Sequence, residues 1–223
     1  MIHSEMVEVL PRLISGPRFE TYLRASSGAP ETAVRLYLWN IQASAALWGP
    51  LAILEVVIRN ALHDALRSRR RDDWWNDPTV RLMPRERSMI DDAIAGLVRR
   101  GIARPSPDQV VAATTFGLWT GLTDGGVPRD PYLSYETALW QPRLAEAFRH
   151  AGTVRRKQIH RELDDLRILR NRVAHHEPIY RTDLVRTRDR MVRVAGYVDP
   201  DAARLIMALD RSDDLVAQRR ELT

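Results

Sequence analysis

From Glu31 to about Arg71 the chain keeps a single period, and that period limits the folds open to it. Leu36, Leu38, Trp39, Ala43, Ala46 and Leu47 recur at helical spacing. Leu51, Leu54, Val57, Ile58, Ala61, Leu62 and Ala65 continue as a wide apolar face. Nowhere does the chain show the sustained two-residue alternation of a half-buried strand, and no hairpin dipeptide sits between β-rich runs. The expected class is therefore all-α: a single-domain helical bundle over residues 1–223, with about seven or eight helices and no linker wide enough to separate domains. Within the long run, Gly49-Pro50 is expected to break or kink the helix, because proline lacks the amide hydrogen and its ring collides with the preceding turn.

The remaining punctuation is helical too. Ser4 to about Ser26 reads as a short helix or two around Pro11 and Pro17, and Asn76-Asp77-Pro78 is a stop. Pro84 opens a helix that runs to Arg100 and is capped by Gly101. Ser106 and Pro107 begin "SPDQVVAATTFGLWTGL" as N-cap and first turn, read as one helix, and "TDGGVPRDP" is a loop. Further helices are expected over Trp140–His150, Thr153 to about His176, Thr182–Val198 and Pro200 to about Asp210.

Composition removes several chemistries. With no cysteine there is no disulfide, no thiolate nucleophile and no Cys-ligated zinc, which fits a reducing, cytoplasmic setting. The start lacks a basic segment followed by an apolar run, so no leader is expected. The longest apolar stretch, "IQASAALWGPLAILEVVI", contains Gly-Pro and Glu55, which makes it a poor membrane span and a good buried helix. The net charge of +5 permits nucleic-acid binding, but Lys157 is the single lysine among 34 basic residues. That skew points to coding bias, and the runs Arg69–Arg71 and Arg155–Lys157 read as solvated helix ends. Trp39, Trp48, Trp119 and Trp140 fall at core spacings. Trp74 and Trp75, in a turn region beside Arg69–Arg71, are the better candidates for contacting RNA.

The residues with chemical potential gather at "RNRVAHHEP", Arg170 to Pro178. Ile159, Leu163, Leu166, Leu169 and Val173 form a core stripe on the helix leading to it. Pro178 disfavours helical conformation at Glu177, which places His175 and His176 in the last turn or just past it. There the unpaired carbonyls, the negative end of the helix dipole and Glu177 all favour a protonated imidazole. Such a group is suited to moving protons, and Arg170 brings a planar cation suited to phosphate. Together they could cleave RNA without a metal, the imidazole acting at the 2′-hydroxyl or leaving oxygen and the arginine on the phosphorane charge.

Spacing by itself says little. Chance gives about three Arg-x(4–6)-His matches in a chain so rich in arginine. Four occur: Arg143/His150, Arg155/His160, Arg170/His175 and Arg170/His176. The plain alternative is a histidine helix cap. A zinc site fits poorly, since adjacent residues on a helix diverge by about 100°. A related segment, "EVVIRNALHD", repeats the Arg-Asn pair, and its Glu55 and Arg59 are spaced to pair on one helix.

"LDDLRILRNRVAHHEPIYRTDL" (Leu163–Leu184) resembles the signature of Abi-like, abortive-infection proteins, which belong to the HEPN superfamily of helical ribonucleases and toxins. "RFETYLRASSGAPETAVRLYLWN", "LEVVIRNALHDAL" and "VVAATTFGLWTGL" look like the same family's earlier blocks in the same order, so the resemblance covers most of the chain. It implies a HEPN-like helical bundle, usually a homodimer, whose two Arg-Asn…His motifs face one shared cleft. It also implies a metal-independent endoribonuclease acting in anti-phage defence or as a toxin, with RNA as substrate, an antitoxin or inhibitor protein as a further partner, and no cofactor. Carried onto this chain, Arg170 and His175 are the catalytic pair, with Asn171, His176 and Glu177 supporting them; the resemblance leaves open whether Glu55, Arg59 and Asn60 stand beside the cleft or whether Glu55 and Arg59 form an ion pair that only fixes helix packing. His175 is favoured over His176 because Asn171 reaches it at i+4. Two other readings stand: a non-catalytic module that binds RNA or protein, and a role in nucleotidyl-transfer chemistry within a toxin–antitoxin pair.

Overall fold

A computed structural model describes the main chain of residues 2–68 and 70–222 and the side chains of residues 5–68 and 70–222. The described residues form no strand, only an isolated bridge between Gly126 and Ser134, so the all-α expectation holds at the level of class. Ten α-helices replace the expected seven or eight among the described residues. They are α1 (Ile2–Ile14), α2 (Gly16–Ala25), α3 (Pro30–Arg67), α4 (Pro84–Arg99), α5 (Pro107–Ala113), α6 (Phe116–Leu122), α7 (Arg156–Ala174), α8 (Leu184–Val198), α9 (Pro200–Ala208) and α10 (Ser212–Arg220).

The axle is α3, 38 residues and so about 57 Å long. It packs against α1, α2, α6, α7, α8, α9 and α10. Its inner face, Leu36, Trp39, Ala43, Leu47, Leu51, Leu54, Ile58, Leu62 and Leu66, is buried along the whole length. That continuity explains why Gly49-Pro50, expected to break or kink the helix, does not break it. Pro50 is itself buried between Leu47 and Leu51, and packing on both sides outweighs the one main-chain hydrogen bond it cannot donate. Pro11 likewise sits inside α1, and the break before α2 falls at Ser15, which takes a positive φ of 77°.

Where other boundaries moved, local chemistry accounts for it. The segment from Pro107 divides into α5 and α6 at Thr114, whose hydroxyl donates to the Val111 carbonyl and accepts from Trp119 Nε1. Ser106 does cap α5, with Gln109 completing a reciprocal box. No regular α-helix covers Trp140–His150. A π-turn over Glu136–Trp140 and a 3₁₀ turn over Leu144–Phe148 flank Pro142, which cannot sit inside an α-helix without breaking its ladder. Gly101, at φ 90°, closes α4 as its position predicts. One helix, α10, lies beyond those expected from the sequence. It carries Leu215 into the core and receives Trp39 Nε1 on its carbonyl at 2.8 Å.

The other face of α3 is left bare. Leu38, Ile41, Ala45, Trp48, Ala52 and Val56, spaced by three and four residues, form an exposed apolar stripe. The helix also holds an 18-residue window of mean hydropathy 1.7, 33% of it buried, so by length and composition alone it could cross a membrane.

Candidate functional site

The stripe predicted for α7 is buried in full: Ile159, Leu163, Leu166, Leu169 and Val173. This fixes the roll of the helix and leaves Arg170 and Asn171 half-buried at its margin. The end of α7 is built by the two histidines. His175 is the C-cap, and its amide donates to the Asn171 carbonyl at 2.9 Å. His176 follows with φ +56°, the left-handed position usually given to glycine. Its amide donates to Val173 at 3.1 Å and that of Glu177 to Arg172 at 2.8 Å, which together close the helix as a Schellman motif. The side chains of His175, His176 and Glu177 are exposed. Just beyond, the Ile179 amide donates to the side-chain oxygen of Asn40, a buried residue of α3, at 2.7 Å. The chain leaving the histidines is thus tied to the core.

Arg170 faces α3. Its Nε lies 3.1 Å from Glu55 Oε2, and its guanidinium carbon lies 5.6 Å from the centre of the Trp48 ring. Arg170 and Glu55 are both largely covered, with side-chain exposures of 31% and 17%. Arg59 completes a small hollow of about 220 Å³ lined by these residues and by Leu51, Ala52 and Val56. Two guanidinium groups share it with one carboxylate, so it keeps a net positive charge. Glu55 and the indole hold Arg170 in one orientation, which is the condition for a cation to act on a developing phosphate charge.

The structure therefore brings Arg170, Glu55 and Arg59 together and keeps His175, His176 and Glu177 apart from them at the helix end. On the helical repeat Arg170 and His175 differ by about 140° in direction. The bond joining Asn171 to His175 runs through the main chain. The expected pairing of Glu55 with Arg59 gives way to Glu55 with Arg170. A rigid partner from another helix, itself held by Trp48, competes well against a flexible neighbour one turn along, and Arg59 Nε instead donates to Asn60 Oδ1 at 3.3 Å. Asn60 is exposed on the rim of a different, larger hollow shared with α9.

The tryptophan assignments fail at three positions and hold at three. Trp74 and Trp75 are buried at 0% and 3% exposure and cannot stack on a base. Trp74 Nε1 donates to His63 Nδ1 at 3.1 Å, so the pair serves to fill and close the core. Trp48, expected in the core, is 45% exposed and lies against Arg170. Trp39, Trp119 and Trp140 are buried as expected. The signal for Trp48 was present in the three-and-four spacing of the outer stripe, which a single apolar face on α3 would have hidden. In the run Arg69–Arg71, Arg69 lies outside the described residues. Arg70 is not solvated: its guanidinium reaches Thr79 Oγ1 at 3.4 Å and the Leu66 carbonyl at 3.3 Å, near the end of α3. Arg156, in the other basic run, is half-buried and reaches Glu136 and, at 2.7 Å, the Thr123 carbonyl. Among the described residues no three His, Asp or Glu side chains gather as a metal site.

No family model, curated protein or solved structure matches this chain.

Proposed function

We propose that this protein is a metal-independent endoribonuclease of the Abi-like, HEPN kind, acting in the cytoplasm as an anti-phage or toxin effector. The observation that most supports it is Arg170, held by Glu55 and Trp48 in a net-positive hollow on the helix that ends at His175 and His176. In the reaction His175 removes the proton of an RNA 2′-hydroxyl and that oxygen attacks the adjacent phosphorus. The 5′-oxygen then takes a proton back from the His175 imidazolium and leaves, giving a 2′,3′-cyclic phosphate and a 5′-hydroxyl. Arg170 stabilises the charge gathered on the phosphorane.

One helix aims these two groups apart, so the reading needs two copies. The exposed stripe Leu38, Ile41, Ala45, Trp48, Ala52 and Val56 runs beside the Arg170 hollow and suits a second copy of itself across a two-fold axis. It is a stripe and not a full girdle, and Glu55 and Arg59 lie in the same helix, which suits a protein partner better than lipid. An antitoxin or inhibitor protein would act by covering the same surface.

The test uses total cellular RNA in EDTA. Wild type is expected to cleave it to products with cyclic phosphate ends, and Arg170→Ala is expected to be folded and inactive. Ile41→Glu is expected to give a monomer by light scattering and to lose cleavage as well. Intact RNA with wild type sinks the proposal.

A second reading has its own support. Arg170 already has a carboxylate partner, and both histidines close α7 through their main chain, as a structural cap would. In that non-catalytic RNA- or protein-binding module, Arg170→Ala lowers the melting temperature while every variant, wild type included, leaves RNA uncut.

A further inference from the structure

A second arginine-lined hollow lies on the other side of the end of α7. It measures about 450 Å³ and is lined by Thr21 and Arg24 of α2 and by Arg172, Pro178, Tyr180 and Arg181. Among the described residues no carboxylate lines it. Arg172 is held in place, with Nη2 donating to the Pro178 carbonyl and Nε 3.6 Å from Glu177. Arg24 Nε donates to the Glu20 carbonyl at 3.4 Å and lies 3.7 Å from the exposed Glu20 carboxylate. Arg181 has no carboxylate partner among the described residues, and its guanidinium carbon lies 5.7 Å from the centre of the Tyr180 ring.

Tyr180 decides what such a hollow can recognise. Its hydroxyl donates to the Thr21 carbonyl at 3.4 Å, its ring packs on Tyr22 with centres 5.5 Å apart, and Arg181 lies over it. The ring forms a wall of the hollow, with Arg181 over one face. What remains is three arginines lining one concave surface: Arg24 and Arg181 are exposed, and Arg172 keeps its Nη1 donors, so that together they can meet the oxygens of a phosphate.

We propose that this hollow binds a phosphate group. Its position suggests a source. Arg172 follows Arg170 by two residues and so points about 200° away around α7. The two arginine sites therefore lie on different sides of the last turn of α7, which ends at the exposed His175 and His176. A single RNA strand laid across that end presents one phosphate to each. This assignment to the substrate strand rests on the ribonuclease reading, whereas the phosphate hollow itself does not.

The test uses the full-length protein in EDTA with a short labelled 2′-O-methyl oligoribonucleotide, which lacks the attacking hydroxyl, and separately with inorganic phosphate and AMP. The variant Arg24→Ala/Arg181→Ala alters two exposed side chains, and Arg24→Lys/Arg181→Lys keeps the charge. The alanine variant is expected to bind the oligonucleotide about tenfold more weakly near 0.1 M salt, with the slope of log K against log salt shallower by about 1.4, or about 0.7 for each lost phosphate contact. The lysine variant is expected to fall between. A loss confined to inorganic phosphate and AMP still supports the hollow and assigns it to a free ligand. Affinities unchanged for all three probes overturn it. Binding is read without cleavage, so intact cellular RNA would count against the ribonuclease reading and leave this result standing.

Discussion

The chain writes nearly the same letters twice. On α3 they are Arg59-Asn60 followed by His63, and on α7 Arg170-Asn171 followed by His175. Their arginines converge on one hollow, from opposite helices, with Glu55 between them. Their histidines diverge. His63 sits on the core face of its helix, buried, with Nδ1 accepting from Trp74 and a buried Nε2 that has no partner among the described residues. His175 stands at the end of its helix, exposed, and among the described residues only its main chain is engaged. The lesson is that depth and distance from a helix end, more than the letters, decide whether an imidazole is part of the core or is free to meet a ligand.

The largest expected effect breaks the comparison at its exposed member. If the protein cleaves RNA as proposed, His175→Ala should lower that cleavage by about 10²–10⁴-fold, the range for loss of a general acid or base, with an unchanged melting curve. Cleavage at the wild-type rate would remove His175 from the mechanism.

The buried member should answer in stability and not in rate. His63→Ala leaves the Trp74 indole without its acceptor and is expected to destabilise the fold by about 1–3 kcal/mol in chemical denaturation, while cleavage per folded molecule is unchanged. It should also change the response to pH. Burial lowers the proton affinity of His63 below its ordinary value of 6.5, so below that value the unfolded chain takes up a proton that the folded chain refuses. Stability is therefore complete above about pH 6.5 and declines as the solution is acidified. Melting temperatures of wild type and His63→Ala between neutral and mildly acidic pH should converge. A constant gap across that range would show that His63 is not the group responsible.

A smaller change sharpens the point where the arginines meet. Glu55→Gln removes the charge that positions Arg170 and is expected to slow cleavage by about tenfold, the low end for residues that orient a catalytic group. No change in rate, with folding intact, would mean that Trp48 suffices to hold the guanidinium. The smallest effect separates the two adjacent histidines. His176→Gly places the preferred residue in the left-handed position and should stabilise the protein by about 0.5–1 kcal/mol with cleavage retained. Lost cleavage would instead assign the proton transfer to His176.

How far these contrasts can be read from the sequence follows from how local their causes are. The buried stripe of α7, its end at the histidines, the Ser106 cap and the Gly101 stop depend on residues within a turn or two of each other, and each is legible. Arg170 and Glu55 are 115 positions apart, and no periodicity encodes their meeting. Trp74 and Trp75 mislead for a related reason. A turn between arginines looks wet on paper, but His63 eleven residues earlier draws the indole inward. Pro50 marks the converse case, a strong local stop signal that packing along both halves of α3 carries the helix through.

The hydrogen bond from Ile179 to Asn40 has a mechanical consequence. Asn40 and Glu55 stand about 22 Å apart along α3 and hold the two ends of one stretch, Ile179 on one side and Arg170 on the other. The helix works as a ruler laid along the histidine segment, which is pinned at both of its marks. Pro50 lies between those marks. Any bend there would move one mark against the other and slacken or skew the segment, so the shape of a core helix at Pro50 sets the reach of the histidines.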